Sequence, residues 1–137
     1  MEEEKFLLES KQLVENLFEI LEVDLEELTE QEKQLIIAYS FGMISIIAEE
    51  NKILLCKQYF AIEKVIVEVF KYSKEKAIKI VKDIEASTEK EDNEVLRIMI
   101  HQGKQIYPKY KIKNYNEVYD SLTNLIDVIV TGEYKNY

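Results

Sequence analysis

Residues 35–48, LIIAYSFGMISIIA, run fourteen positions without a charge and would carry apolar side chains on every side of a helix. A helix with no polar face has to be enclosed by other elements. The run is too short to span a bilayer, which takes about 20 residues. Just ahead of it, Thr29-Glu30-Gln31-Glu32 has the spacing of a capping box, in which the Thr29 hydroxyl and the Glu32 carboxylate satisfy each other's backbone N–H. Together these features predict a central helix over about 30–50. Gly42 in its middle costs about 1 kcal/mol of helix propensity relative to alanine. That cost is explained if a neighbouring helix crosses closely at Gly42.

Three glycines and one proline in 137 residues leave little material for the tight turns of a β-sandwich. An all-α bundle of about six helices is therefore expected around the central one. The first, about 2–22, shows a period near 3.6 in Phe6, Leu13, Leu17 and Ile20 with Leu7, Val14, Phe18 and Leu21, and a break follows at 23–28. The third, about 54–71, puts Leu55, Tyr59, Ile62, Ile66, Val69 and Phe70 inward. Ser73 N-caps a fourth, 74–86, with Ala77, Ile80, Val81 and Ile84 inward and Lys74, Lys76, Lys79 and Lys82 making it the basic element. After a charged loop at 87–93, a fifth helix over 93–107 uses Val95, Leu96, Met99, Ile100 and Ile106 and stops before Pro108. Asn114 or Asn116 caps a sixth, which Gly132 ends, leaving 133–137 as a frayed tail. Length and the lack of repeats or linkers point to a single domain.

The net charge of -9 is concentrated at one end: the first fifty residues hold 14 Asp and Glu against three lysines. Within them Glu15, Glu19, Glu22, Glu26 and Glu30 follow at i+3/i+4 steps, where like charges repel by a few tenths of a kcal/mol per pair. The plain reading is a solvated face. The functional one is a surface for a basic partner, formed by Glu15, Glu19, Glu22, Asp24, Glu26 and Glu30. Such acidity argues against nucleic acid and anionic membrane as partners. The segment 103–115, GKQIYPKYKIKNY, interleaves lysines and tyrosines. It reads as a half-buried corner joining the last two helices, and Tyr107, Tyr110, Tyr115 and Tyr119 form the alternative partner surface, since interfaces are enriched in tyrosine.

Catalytic signals are weak. The only histidine, His101, has no acid at i+3 or i+4 and reads as structural or surface. Cys56, the only cysteine, has no partner for an intramolecular disulfide. Its place near a helix start favours a thiolate, but the simpler reading is a small buried apolar residue. Glu49, Glu50 and Glu63 with Glu15 or Glu19 lack the histidines a di-metal helical site requires. No catalytic residue, metal or cofactor is expected. The opening Met1-Glu2-Glu3-Glu4-Lys5 is unlike a basic signal-peptide start, which makes a cytoplasmic location the expectation.

Three phrases, FGMISIIAEEN at 41–51, VEVFKYSKEKA at 67–77 and IMIHQGKQIY at 98–107, resemble a small all-helical family of bacterial immunity proteins, numbered forty-eight. The resemblance covers about 35–107. Phe41 and Gly42 would match the family's central helix, Tyr72 and Ser73 the turn into helix four, and His101 and Gly103 the fifth helix. It implies a non-enzymatic protein that protects its producer by binding the C-terminal domain of a polymorphic toxin encoded beside it, a basic nuclease being one such toxin class. The alternative is a helical adaptor for a host protein unrelated to toxins.

Overall fold

The computed structural model describes residues 1–89 and 93–132. The Thr29 Oγ1 accepts the Glu32 N–H at 3.1 Å and Glu32 Oε1 accepts the Thr29 N–H at 2.9 Å, so the capping box closes as the sequence predicts. It opens α2 (Glu30–Glu50), the second of six helices among the described residues, which contain no strand. The others are α1 (Glu3–Leu21), α3 (Leu55–Glu68), α4 (Lys74–Glu89), α5 (Glu94–Lys111) and α6 (Tyr115–Thr131), with a 3₁₀ turn at Leu25–Glu27 between α1 and α2.

Every residue of α2 from 35 to 48 is buried except Ile46, which is half-buried. The helix meets α1, α3, α5 and α6, and α5 most extensively. Its buried serines are satisfied within the helix, Ser40 donating to the Ile36 carbonyl at 2.7 Å and Ser45 to that of Phe41 at 2.8 Å. At the α2–α5 crossing the two backbones touch. A Cβ on Gly42 would fall on the Ile100 carbonyl and within 3.0 Å of the Lys104 nitrogen. A Cβ on Gly103 would fall on the Tyr39 carbonyl and 3.2 Å from the Gly42 Cα. The close crossing expected at Gly42 is thus made by two glycines, one from each helix. Around this seam Phe41 stacks on Tyr59 at 5.4 Å, and Phe18 of α1 meets Phe70 after α3 at the same distance. Tyr39 reaches Ser121 of α6 at 3.1 Å, and burial pushes its phenol up to about 12.

Local signals set most of the other helix starts. Ser73 Oγ accepts the Lys76 N–H at 3.1 Å, Asn93 accepts that of Leu96 at 3.1 Å, and Asn114 rather than Asn116 accepts that of Glu117 at 3.4 Å. Gly132 ends α6 in the left-handed region at φ 80. The residues after it lie outside the described ones.

The structure corrects four expectations. First, α5 does not stop at Pro108 but continues to Lys111. The Pro108 ring is exposed, and its missing N–H removes one hydrogen bond without ending the helix. The helix then closes with the Ile112 N–H on the Pro108 carbonyl at 3.3 Å and Lys113 at φ 64. Second, α4 extends through 87–89. Ser87 and Thr88 stay helical by donating to the carbonyls of Asp83 and Ile84 at 2.7 and 2.9 Å, and residues 90–92 of the expected loop lie outside the described ones. Third, Leu55 is exposed, because the covered stripe of α3 begins one turn later at Gln58. Fourth, Cys56 is exposed rather than buried, at the same uncovered end of α3.

Candidate partner-binding surface

Glu15 and Glu19 stand one turn apart on the exposed side of α1. There the run along one helix ends. Glu22 caps α1 in the left-handed region at φ 56, its N–H turned onto the carbonyls of Glu19 and Phe18. Asp24 begins the 3₁₀ turn, held by its N–H on Glu27 Oε1 at 3.0 Å, and Glu26 lies within that turn. Glu30 is the first residue of α2. The expected continuous row is therefore an exposed acidic strip that follows the chain through a cap, a turn and a second helix start. Its position is unfavourable for α1: Glu19 and Glu22 sit at the negative end of the helix dipole, and the last turn carries no basic residue.

Glu30 differs from the rest of the strip. Tyr72 donates its hydroxyl to Glu30 Oε2 at 2.6 Å and Lys33 lies 3.3 Å from Oε1. The Tyr72 bond, with a smaller contribution from Lys33, outweighs desolvation and holds the Glu30 carboxyl below its ordinary value of 4.5. Burial first, and Glu30 second, push the Tyr72 phenol up. The pair pins the start of α2 to the α3–α4 junction. Tyr72→Phe should lower stability by about 1 kcal/mol or less at neutral pH, since the bond is made at the exposed Glu30 carboxylate. A depressed carboxyl contributes stability above its unfolded value and loses it as pH falls through its folded one. The gap between parent and Tyr72→Phe should accordingly narrow below pH 4.5 in urea titrations. A gap that widens on acidification would contradict the assignment.

The tyrosine corner forms as expected and reaches further. Tyr107 is buried, Tyr110 and Tyr115 are half-buried, and their ring centroids follow at 6.1 and 5.9 Å. Asn16 of α1 donates to the hydroxyls of both Tyr110 and Tyr115, at 3.2 and 3.4 Å. This contact ties α1 to the α5–α6 junction. Burial raises the phenols of Tyr107 and Tyr110. Tyr119, one turn on, remains 43% exposed.

Between the end of α1 and the start of α6 lies an open groove of about 440 Å³, lined by Asn16, Glu19, Ile20, Glu22, Tyr115, Asn116 and Tyr119. The two candidate sets thus meet: Glu19 and Glu22 from one, Tyr115 and Tyr119 from the other. Beside it, sharing Tyr119, a groove of about 280 Å³ has the apolar side chains of Leu21, Val23, Leu28, Ile36, Ile126 and Val130, with Glu32 and Asp127 among its lining. Elsewhere, His101 and Cys56 are exposed and lie on different helices. Among the described residues no three His, Cys, Asp or Glu side chains group as metal ligands would, and no helix is long and apolar enough to cross a membrane.

The sequence matches the family described as Immunity protein 48 over residues 6–130, and the chain belongs to that family. The match takes in α1 from Phe6 onward and nearly all of α6, beyond the 35–107 of the short phrases. No curated protein and no solved structure matches it.

Proposed function

We propose that this protein is a non-catalytic antagonist that binds a cognate bacterial toxin domain and neutralises it by covering its working surface. Membership of the immunity-protein family is the observation that carries this reading. The acidic face is in keeping with it, because an excess of carboxylates steers a basic partner, such as a nuclease domain, into encounter. Action in the cytoplasm without nucleic acid, membrane or cofactor completes the proposal. The test is co-purification with the C-terminal domain of the toxin encoded immediately upstream, together with survival of cells expressing both. Failure of both would remove the reading.

Occlusion also predicts that no single reactive side chain is needed. His101→Ala and Cys56→Ser, both at exposed positions, should stay within about 0.5 kcal/mol of the parent in stability. Each should protect cells as well as the parent does. A folded His101→Ala protein that still binds the toxin but no longer protects would indicate catalysis instead.

A further inference from the structure

We infer that the toxin-facing surface is the face shared by the C-terminal half of α1, the 3₁₀ turn and α6, and that it receives a partner segment in which Lys or Arg side chains flank an apolar one. The inference rests on the immunity reading and specifies its interface. Residues 12–32 hold eight carboxylates and residues 114–132 hold Glu117, Asp120 and Asp127, with no lysine or arginine in either stretch. About a hundred residues separate the two stretches in the chain, yet the fold sets them side by side. Asn16 bonds the α5–α6 junction, and Leu21 and Ile126 line one groove.

The smaller groove is lined mainly by apolar side chains and the larger mainly by polar ones, with Glu19, Glu22, Glu32 and Asp127 among the two linings. Tyr119 is common to both grooves and is 43% exposed. An apolar centre within a polar rim is the anatomy of a protein interface. Tyrosine is among the side chains that most often carry its energy. Charge complementarity then fixes the occupant. A partner segment bringing acids would meet uncompensated repulsion, whereas one bringing Lys or Arg neutralises a face that has no bases of its own. Leu54, just ahead of α3, and Leu55 and Phe60 on it are also uncovered, stand in a stretch that includes Lys52, Lys57 and Lys64, and serve as the comparison surface.

Binding of the upstream toxin's C-terminal domain, followed by stopped-flow and equilibrium titration, tests this. Tyr119→Ala should weaken binding at least tenfold, mainly through faster dissociation. The double variant Asp120→Lys/Asp127→Lys should lower the on-rate at least tenfold at low salt. It changes only exposed residues, and a lysine near the end of α6 suits the helix dipole, so it keeps the test decisive if Tyr119→Ala fails to fold. Leu54→Asp should bind as the parent does. If the parent binds while the double variant, and Tyr119→Ala where it folds, match it, or if Leu54→Asp alone abolishes binding, this surface is wrong and the immunity reading stands. A parent that does not bind the domain ends both.

Discussion

Gly42→Leu and Gly103→Leu should each cost about 3 kcal/mol or more, at or beyond the upper end of ordinary overpacking. The reason is the nature of the obstacle. A Cβ at either position meets the partner helix's backbone carbonyl, not the movable tip of a side chain. The helices would have to separate, and α2 and α5 share the most extensive interface in the fold. Gly42→Ala makes the sharper test. Alanine is the better helix former by about 1 kcal/mol, so an uncrossed helix would gain stability. Here the sign should reverse. Thermal unfolding should show a midpoint lower by on the order of 10 °C for either leucine variant, and urea unfolding a midpoint at lower denaturant concentration. A leucine variant that melts with the parent would mean that the two backbones do not touch.

The second large effect is expected at the acidic end of α1. Replacing Glu15, Glu19 and Glu22 with glutamine should leave the free protein as stable as the parent or more stable by roughly 1 kcal/mol. Two small terms add: relief of the Glu15–Glu19 repulsion, and removal of negative charge from the negative end of the α1 dipole. Association with a basic toxin domain should slow about tenfold, because long-range attraction governs on-rate more than contact energy does. The parent's own on-rate should fall steeply with added salt, as the screening length shrinks to about 8 Å at 0.15 M. A stability gain without any loss of rate would leave these carboxylates a solvated face. A flat salt dependence as well would shift the interface to the tyrosine side, at Tyr115 and Tyr119.

Helix starts and the central helix were legible because their signals are local. Thr29 with Glu32, Ser73 and the uncharged run at 35–48 each act over a few residues. The ends of α3, α4 and α5 were not. Glu22, Lys52, Lys71 and Lys113 all lie in the left-handed region, at φ 56, 57, 62 and 64, in turns where glycine or asparagine would be the usual marker. Pro108 misled for a related reason: it forbids one hydrogen bond, not one more turn, and an exposed last turn tolerates the loss. Gly103 carries no local mark of its role, because its counterpart, Gly42, is 61 positions away and only the crossing unites them. The candidate surface divides in the same way. Both the glutamates and the tyrosines could be picked out by spacing and composition. That Asn16 would join them, and that α6 would add a second stretch without bases, depends on tertiary packing.

The glycine seam and the carboxylate face share only α2, whose first turn holds Glu30 and Glu32 and whose middle holds Gly42, and this bears on how such a protein could follow a changing adversary. On the proposed function, a toxin domain would escape by altering its own surface charges. Exposed positions such as Glu15, Asp120 and Asp127 can answer in single steps, each within about 0.5 kcal/mol of neutral for the fold and nearly independent of one another where they are well separated. The α2–α5 crossing absorbs none of that variation, since it presents backbone to backbone and has no side chain to exchange. Recognition can thus be rewritten residue by residue on a scaffold that stays fixed.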